Sequence, residues 1–199
     1  MLVKNDCILY QKKHEKSKSC PKCKVSRWKS VRKSLDGKHV YKVPKKVLRY
    51  FPIKKSLQRL FLSSKIASLT RWHDEDRTRD GVLRHPADSP LWKDFDVNHP
   101  EFVVDSRNIR LAFATDGFNP YRSQNSSYSI CPGICIPYNF PSSMCMKQSN
   151  FILSLLIPRR HAPGSDMDIY FEPLLMMLRS VSTSNCVQQY CGQLLIFLV

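Results

Sequence analysis

The sequence predicts an α+β or α/β fold, and three observations carry that prediction. Asn108 to Pro120 reads NIRLAFATDGFNP, in which Ile109, Leu111 and Phe113 alternate with Arg110, Ala112 and Ala114. That period of two marks a half-buried or buried strand. Two further apolar runs follow, one marked by Tyr128, Ile130, Ile134 and Ile136, the other FILSLLI from Phe151 to Ile157. Ahead of them, apolar residues between Val43 and Thr70 recur at helical spacing.

Composition separates the chain into two parts. Its 199 residues suffice for one ordinary domain and a small one, and a hydrophobic content of 42% is enough for a core. The formal net charge is +16. Residues 1–80 hold 23 Lys and Arg against 7 Asp and Glu, whereas residues 81–199 hold 9 of each. The whole surplus therefore lies in the first 80 residues, interleaved with aromatic and apolar side chains, as in a nucleic-acid-binding module joined to a near-neutral domain. The amino terminus MLVKNDCILY lacks the apolar core of a secretory signal, and LLIFLV is too short to span a bilayer. Eight cysteines in such a chain point to thiols or metal ligands, not a disulfide framework. VRKS and VPKKVLR are short basic runs of the kind that serve nuclear import.

Residues 1–30 contain Cys7, Cys20 and Cys23. The CPKC run puts two thiolates on one tight turn, as a zinc knuckle requires, but a tetrahedral site needs four ligands and three cysteines are present. His14 is a candidate fourth ligand at an unusual spacing, and an unligated basic arm is the alternative. Residues 29–43 read as a linker or a hairpin turning at Asp36-Gly37. Pro44 suits a first helical turn, followed by a short apolar face of Val47, Leu48 and Phe51. A second helix is expected from Ile53 to Thr70, with Ile53, Leu57, Leu60, Phe61 and Leu69 on one side. Lys45, Lys46, Arg49, Lys54, Lys55 and Arg59 are the candidates for phosphate contact, the alternative being a packing helix with a solvated face.

Residues 71–107 are dense in charge, His and Pro. Trp72-His73-Asp74 and His85-Pro86-Ala87-Asp88 invite a metal reading, but a lone His beside Asp is more often a hydrogen-bonded structural pair. Ser89 and Pro90 suit the cap and first position of a short helix containing Trp92 and Phe95. The strand after it stops at Thr115-Asp116-Gly117, which places Asp116 at a carboxyl end, where it either holds a divalent metal or starts a turn. The second strand is expected to be interrupted at Pro132-Gly133, with Cys131 and Cys135 close in sequence. RRHAPGSD reads as a loop and Met167 to Leu178 as a helix with Asp166 and Asp168 near its start. No nucleophile–base pair is apparent.

RWHDEDRTRDGVLRHPADSPLWKDFD, NIRLAFATDGFNP, IPYNFPSSMCMKQSNFILSLLIP and APGSDMDIYFEPL occur in order, and together they closely resemble the transposase of plant CACTA-type (En/Spm-like) DNA transposons, over about Asp6 to Leu178. The resemblance implies a ribonuclease-H-like catalytic domain, in which three acidic residues hold two metal ions, Mg²⁺, for strand cleavage and transfer. Asp116 matches the first of the three; Asp166, Asp168 and Glu172 are poor candidates for the others. The family pattern has a Cys four residues before Cys7, where this chain has Val3, and a Gly where it has Arg159; Cys131 and Cys135 are not cysteines in that pattern. Three strands and a helix reproduce the opening of such a domain, but the two strands, second Asp and Glu-bearing helix that should follow are not apparent. From Arg179 the sequence departs from the family, as a reading frame entering an intron or passing a frameshift would. The expected division is therefore a degenerate zinc-ribbon-like segment at 1–30, a basic helical segment at 31–107, the first half of an incomplete nuclease domain at 108–178 and an unrelated tail at 179–199. The expected function is that of a nuclear transposase fragment, catalytically incomplete, binding DNA at transposon ends or non-specifically, with Zn²⁺ at the cysteines and no membrane partner. A non-catalytic nucleic-acid-binding protein and an inert pseudogene product are the alternatives.

Overall fold

The structure, a computed structural model, describes residues 1–33, 40–121, 129–159, 167–183 and 194–198. The chain divides into two compact units: Met1–Tyr50 with Gly117–Cys131 and Leu155–Pro173, and Phe51–Asp116 with Pro132–Ser154 and Leu174–Val199.

In the first unit, single bridges join Leu2 to Leu9 and to Lys46, and Ser19 to Ser26. Strands β1 (Trp28–Lys33) and β2 (Val40–Pro44) form an antiparallel hairpin with Trp28 opposite Pro44. Of the two readings of residues 29–43, the hairpin forms; its Asp36-Gly37 turn lies outside the described residues. The helix expected after Pro44 does not form. That segment closes β2 and supplies β3 (Arg49–Tyr50), which pairs antiparallel with Leu155 and Leu156. A helix confined to the seven residues between Pro44 and Pro52 could make few internal hydrogen bonds. The backbone finds distant partners instead: Lys45 N–H donates to Arg27 O at 3.0 Å and Leu2 N–H to Lys46 O at 3.1 Å. Leu2, Leu9, Cys131, Ile157 and Tyr170 form the core, with Leu48 and Ile169 against it.

The second unit begins with α1 (Ile53–Leu60) and α2 (Ser64–Leu69), where one long helix was expected. The break falls at Ser63, whose backbone is extended at φ −103 and ψ 123. Serine competes with helix interiors through local hydrogen bonding, and here two serines meet. Helix α1 buries Ile53 and Leu57, one turn apart, each such burial stabilising by about 1.5–3 kcal/mol. Next come α3 (Trp72–Glu75), a 3-10 turn at Pro86–Asp88, α4 (Pro90–Asn98) and α5 (Pro100–Val103). As the sequence predicts, the Ser89 side chain accepts from the Trp92 amide at 3.3 Å and Pro90 takes the first helical position.

The expected strands follow as β4 (Ile109–Thr115), β5 (Ser129–Pro137) and β6 (Ile152–Arg159), with α6 (Ser142–Cys145) between the last two, and then α7 (Met167–Thr183). The RRHAPGSD segment is outside the described residues except at its start. The interruption expected at Pro132-Gly133 does not occur: β5 runs through it, with Gly133 opposite Thr115 of antiparallel β4. The apolar LLIFL of the tail forms β7 (Leu194–Leu198), parallel to β4 with Ile109 opposite Leu194. The sheet order is β3-β6-β5-β4-β7. Strand β4 is therefore internal, which explains why Ile109 to Phe113 are all buried.

Alternate residues of β4 face opposite ways. Ala112 is buried with Ile136, Phe140 and Cys145, and Leu60, Ile66 and Leu69 of the α1–α2 pair pack against this cluster. Small side chains on the strand leave room for that pair. Arg110, two residues earlier, carries a charge into the same interior. Its guanidinium pairs with Asp96 and lies over Trp92 at 3.9 Å from the ring centre, with Phe95 at 5.0 Å and Phe102 at 5.4 Å. Among the described residues, no helix is long and apolar enough to cross a membrane.

Candidate metal centre

Two tight turns build the cysteine cluster. In one, Val3 N–H donates to Ile8 O at 3.2 Å and Asp6 N–H to Val3 O at 3.1 Å; in the other, Cys20 N–H donates to Val25 O at 3.0 Å and Lys24 N–H to Cys20 O at 2.9 Å. Each turn contains one residue in the left-handed region, Asp6 at φ 57 and Lys24 at φ 59. Neither is glycine, so each carries a modest backbone cost that the surrounding turn must offset.

These turns bring the sulfurs of Cys7, Cys20 and Cys23 within 4.8 Å of one another. Sulfurs bound to one tetrahedral zinc at ~2.3 Å stand about 3.8 Å apart, so a modest contraction would suit them to the ion. The three could hold a metal ion such as zinc. Cys20 is fully buried and the other two are partly so. The Cys23 amide also points at Cys20 Sγ, 3.5 Å away. Burial, with the neighbouring Cys23 and Cys20, pushes the Cys7 thiol up to about 11. A hydrogen bond from the Val25 backbone draws Cys23 below the usual thiol range. Val3 is 1% exposed and buried together with Tyr10 and Cys20, and Cys7 and Cys23 pack against them. His14, a candidate fourth ligand, lies outside the group of close ligand atoms. Cys131, Cys135 and Cys145 are buried free thiols, and burial holds Cys135 up at about 12.

Asp116 follows the last residue of β4 and is exposed, as expected for a carboxylate at a strand end. Among the described residues, the cysteines are the group of three or more metal-capable side chains that come together, and Asp116 is not part of it. On α7, Asp168 is exposed in the first turn and Glu172 is half-buried, while Asp166 is outside the described residues.

The candidate phosphate contacts differ in availability. In the first unit, Lys46 pairs with Asp6, donates to the Tyr170 hydroxyl at 3.1 Å and stands over the Tyr170 ring, which occupies it internally. Arg49 is exposed and Lys45 half-buried. In the second unit, Lys55 and Arg59 are exposed and Lys54 is half-buried.

His73 does not pair with Asp74, its neighbour in sequence. Adjacent positions on α3 point apart, so Asp74 meets Arg79 at 3.1 Å while His73 Nδ1 donates to Thr70 O at 3.2 Å. Burial, reinforced by the charge of Arg110, pushes His73 down to about 4, so it is neutral. Asn139 lies alongside, accepting from the Arg110 amide at 2.7 Å and donating to Asn108 O at 2.9 Å. His85 is equally structural: its Nδ1 accepts from the Ala87 amide at 3.1 Å. Asp88 Oδ2 accepts from the amides of His85 and Arg84, and Oδ1 from Arg77 at 2.6 Å. Burial opposes the Asp88 charge, but Arg77 and those amides hold the carboxyl below its usual range. The Arg110–Asp96–Asn139 arrangement escaped the sequence reading, although an Arg in an otherwise apolar strand was its visible sign.

A family model described as Transposase family tnp2 matches residues 80–193. The chain belongs to that family. The matched span begins in the His- and Pro-rich segment, takes in β4 to α7, and continues past Leu178. No curated protein and no solved structure matches the chain.

Proposed function

We propose that this chain is a CACTA-type transposase that binds DNA through its basic amino-terminal 80 residues and carries the opening of a ribonuclease-H-like nuclease domain. The observation that supports this most directly is the sheet around Asp116. Strands β4, β5 and β6 follow in order, α7 crosses over, and β7 lies parallel against β4. That order agrees with the opening of the ribonuclease-H-like domain that the resemblance implies, and in this reading Asp116, just after the end of β4, belongs to its first strand. A carboxylate there would contribute one ligand to the two-Mg²⁺ arrangement, whose chemistry is activation of water or a 3′-hydroxyl and stabilisation of the leaving oxygen. One carboxylate holds Mg²⁺ weakly, because that ion keeps its waters unless several ligands are arranged for it. The chain is therefore a DNA binder without strand cleavage of its own, acting in the nucleus. Zinc, bound by Cys7, Cys20 and Cys23, would brace the amino-terminal turns.

The test is incubation of purified protein with transposon-end DNA and Mg²⁺ or Mn²⁺, alongside Asp116→Ala, with binding read by mobility shift. Retarded DNA and no cleavage product are expected. Cleavage abolished by Asp116→Ala would show a complete catalytic site, and absence of retardation at low salt would remove the DNA-binding reading.

A further inference from the structure

A cavity of about 570 Å³ opens in the first unit beside the cysteine cluster, with Cys7 in its wall. Its charge is lopsided. Lys12, Lys13 and Lys22 line it against one carboxylate, Glu172. The three lysines are exposed, and none makes a side-chain hydrogen bond or ion pair among the described residues. His14 lines the same cavity, and so does Gln11, whose Nε2 is buried without a hydrogen-bond partner among the described residues. A buried amide donor left unmade is costly and implies an acceptor.

We infer that this cavity takes one unpaired nucleotide of a DNA strand. Three ammonium groups call for a phosphate, which supplies two to three acceptor oxygens and the opposite charge. The rest of the cavity is unlike a bare anion site. Its volume is that of a small-molecule pocket. Ile8, Leu9 and Ile169 provide an apolar wall against which a base can lie. Glu172 offers an acceptor to a sugar hydroxyl or an exocyclic amine, and Gln11 offers a donor to a base carbonyl. A nucleotide presents all of these groups together. Within a duplex the base is stacked and paired, so the occupant comes from an overhang or a frayed end. The inference rests on the DNA-binding reading but concerns residues outside its six candidate cations.

The experiment uses the full chain. Calorimetry measures binding of dTMP, with inorganic phosphate as control, and mobility shift compares a blunt duplex with one bearing a single-stranded overhang. The variants are Gln11→Leu and the double variant Lys13→Ala with Lys22→Ala. The overhang should tighten binding about tenfold. dTMP should compete for that increment; Gln11→Leu, which changes no charge, should lose it while keeping blunt-duplex binding, and the double variant should lose it in addition to the general drop in duplex affinity that two fewer cations bring. Equal affinity for blunt and overhanging DNA, without dTMP binding, overturns the inference and leaves DNA binding intact. Inorganic phosphate matching dTMP reduces the cavity to an anion site and also overturns it. If no DNA binds at all, the DNA reading fails separately, and dTMP binding lost in Gln11→Leu still upholds the cavity's role.

Discussion

Val3 holds in its turn the place that Cys20 holds in its own: the amide of each donates to the carbonyl five residues on, at 3.2 Å and 3.0 Å. Cys20 contributes a sulfur from that place and Val3 contributes a methyl-bearing side chain packed beside the three sulfurs. The two turns therefore hold Val3 and Cys20 in matching places beside the cysteine cluster. Val3→Cys should supply the fourth thiolate and raise zinc affinity at least tenfold, because four protein ligands close the tetrahedron. Retention of zinc against a competing chelator measures it; unchanged retention would mean that the backbone correspondence does not extend to the side chain.

Removing one partner of the Arg110–Asp96 pair should be more harmful than removing both. Arg110 is 3% exposed at its side chain and Asp96 31%. Asp96→Ala leaves a buried cation facing only aromatic rings and should destabilise the chain by about 3 kcal/mol, the low end for a buried pair because Asp96 retains some solvent. Arg110→Met combined with Asp96→Ala should recover most of that loss in urea denaturation.

Stability should fall as the solution is acidified from about pH 6.5 to about 4. Burial and Arg110 lower the folded-state pKa of His73 to about 4 from its ordinary 6.5, so only the unfolded chain takes up the proton in that window. The contribution is fully present above 6.5 and is lost as pH falls through 4. A shift of that size corresponds to about 3 kcal/mol at most. Denaturant midpoints at pH 7 and pH 4.5, compared with those of His73→Gln, isolate it: the variant should show a shallower pH dependence.

DNA binding should weaken by orders of magnitude between low and moderate salt. Lys55→Ala and Arg59→Ala should each reduce the slope of log affinity against log salt by about one if they meet phosphate. Lys46→Ala should leave that slope unchanged and lower thermal stability instead, since Lys46 serves Asp6 and Tyr170.

Local pattern revealed the elements whose stabilising contacts repeat along the chain. The alternation in Ile109 to Phe113 and the Ser89-Pro90 start of α4 are examples, as is the run Phe151 to Ile157. It failed where distant residues decide. Lys45 to Tyr50 became extended because Arg27, Leu2 and Leu155 supply backbone partners. The tail strand β7 is a five-residue apolar run whose meaning lies in β4. The cysteine spacing announced a cluster of thiols that could hold a metal, but that Val3 anchors the turn facing Cys20's appears only in the hydrogen bonds. His73 was read correctly as structural and paired with the wrong group, because proximity in sequence is not proximity around a helix.

The parallel pairing of Ile109 with Leu194 also sets how the chain must fold. This ladder has a high contact order, and no local turn can nucleate it. Until β7 docks, β4 presents a row of unpaired amides and carbonyls on one side, available to the same segment of another molecule. Refolding yield should therefore drop as protein concentration rises, through intermolecular strand exchange competing with closure of the sheet.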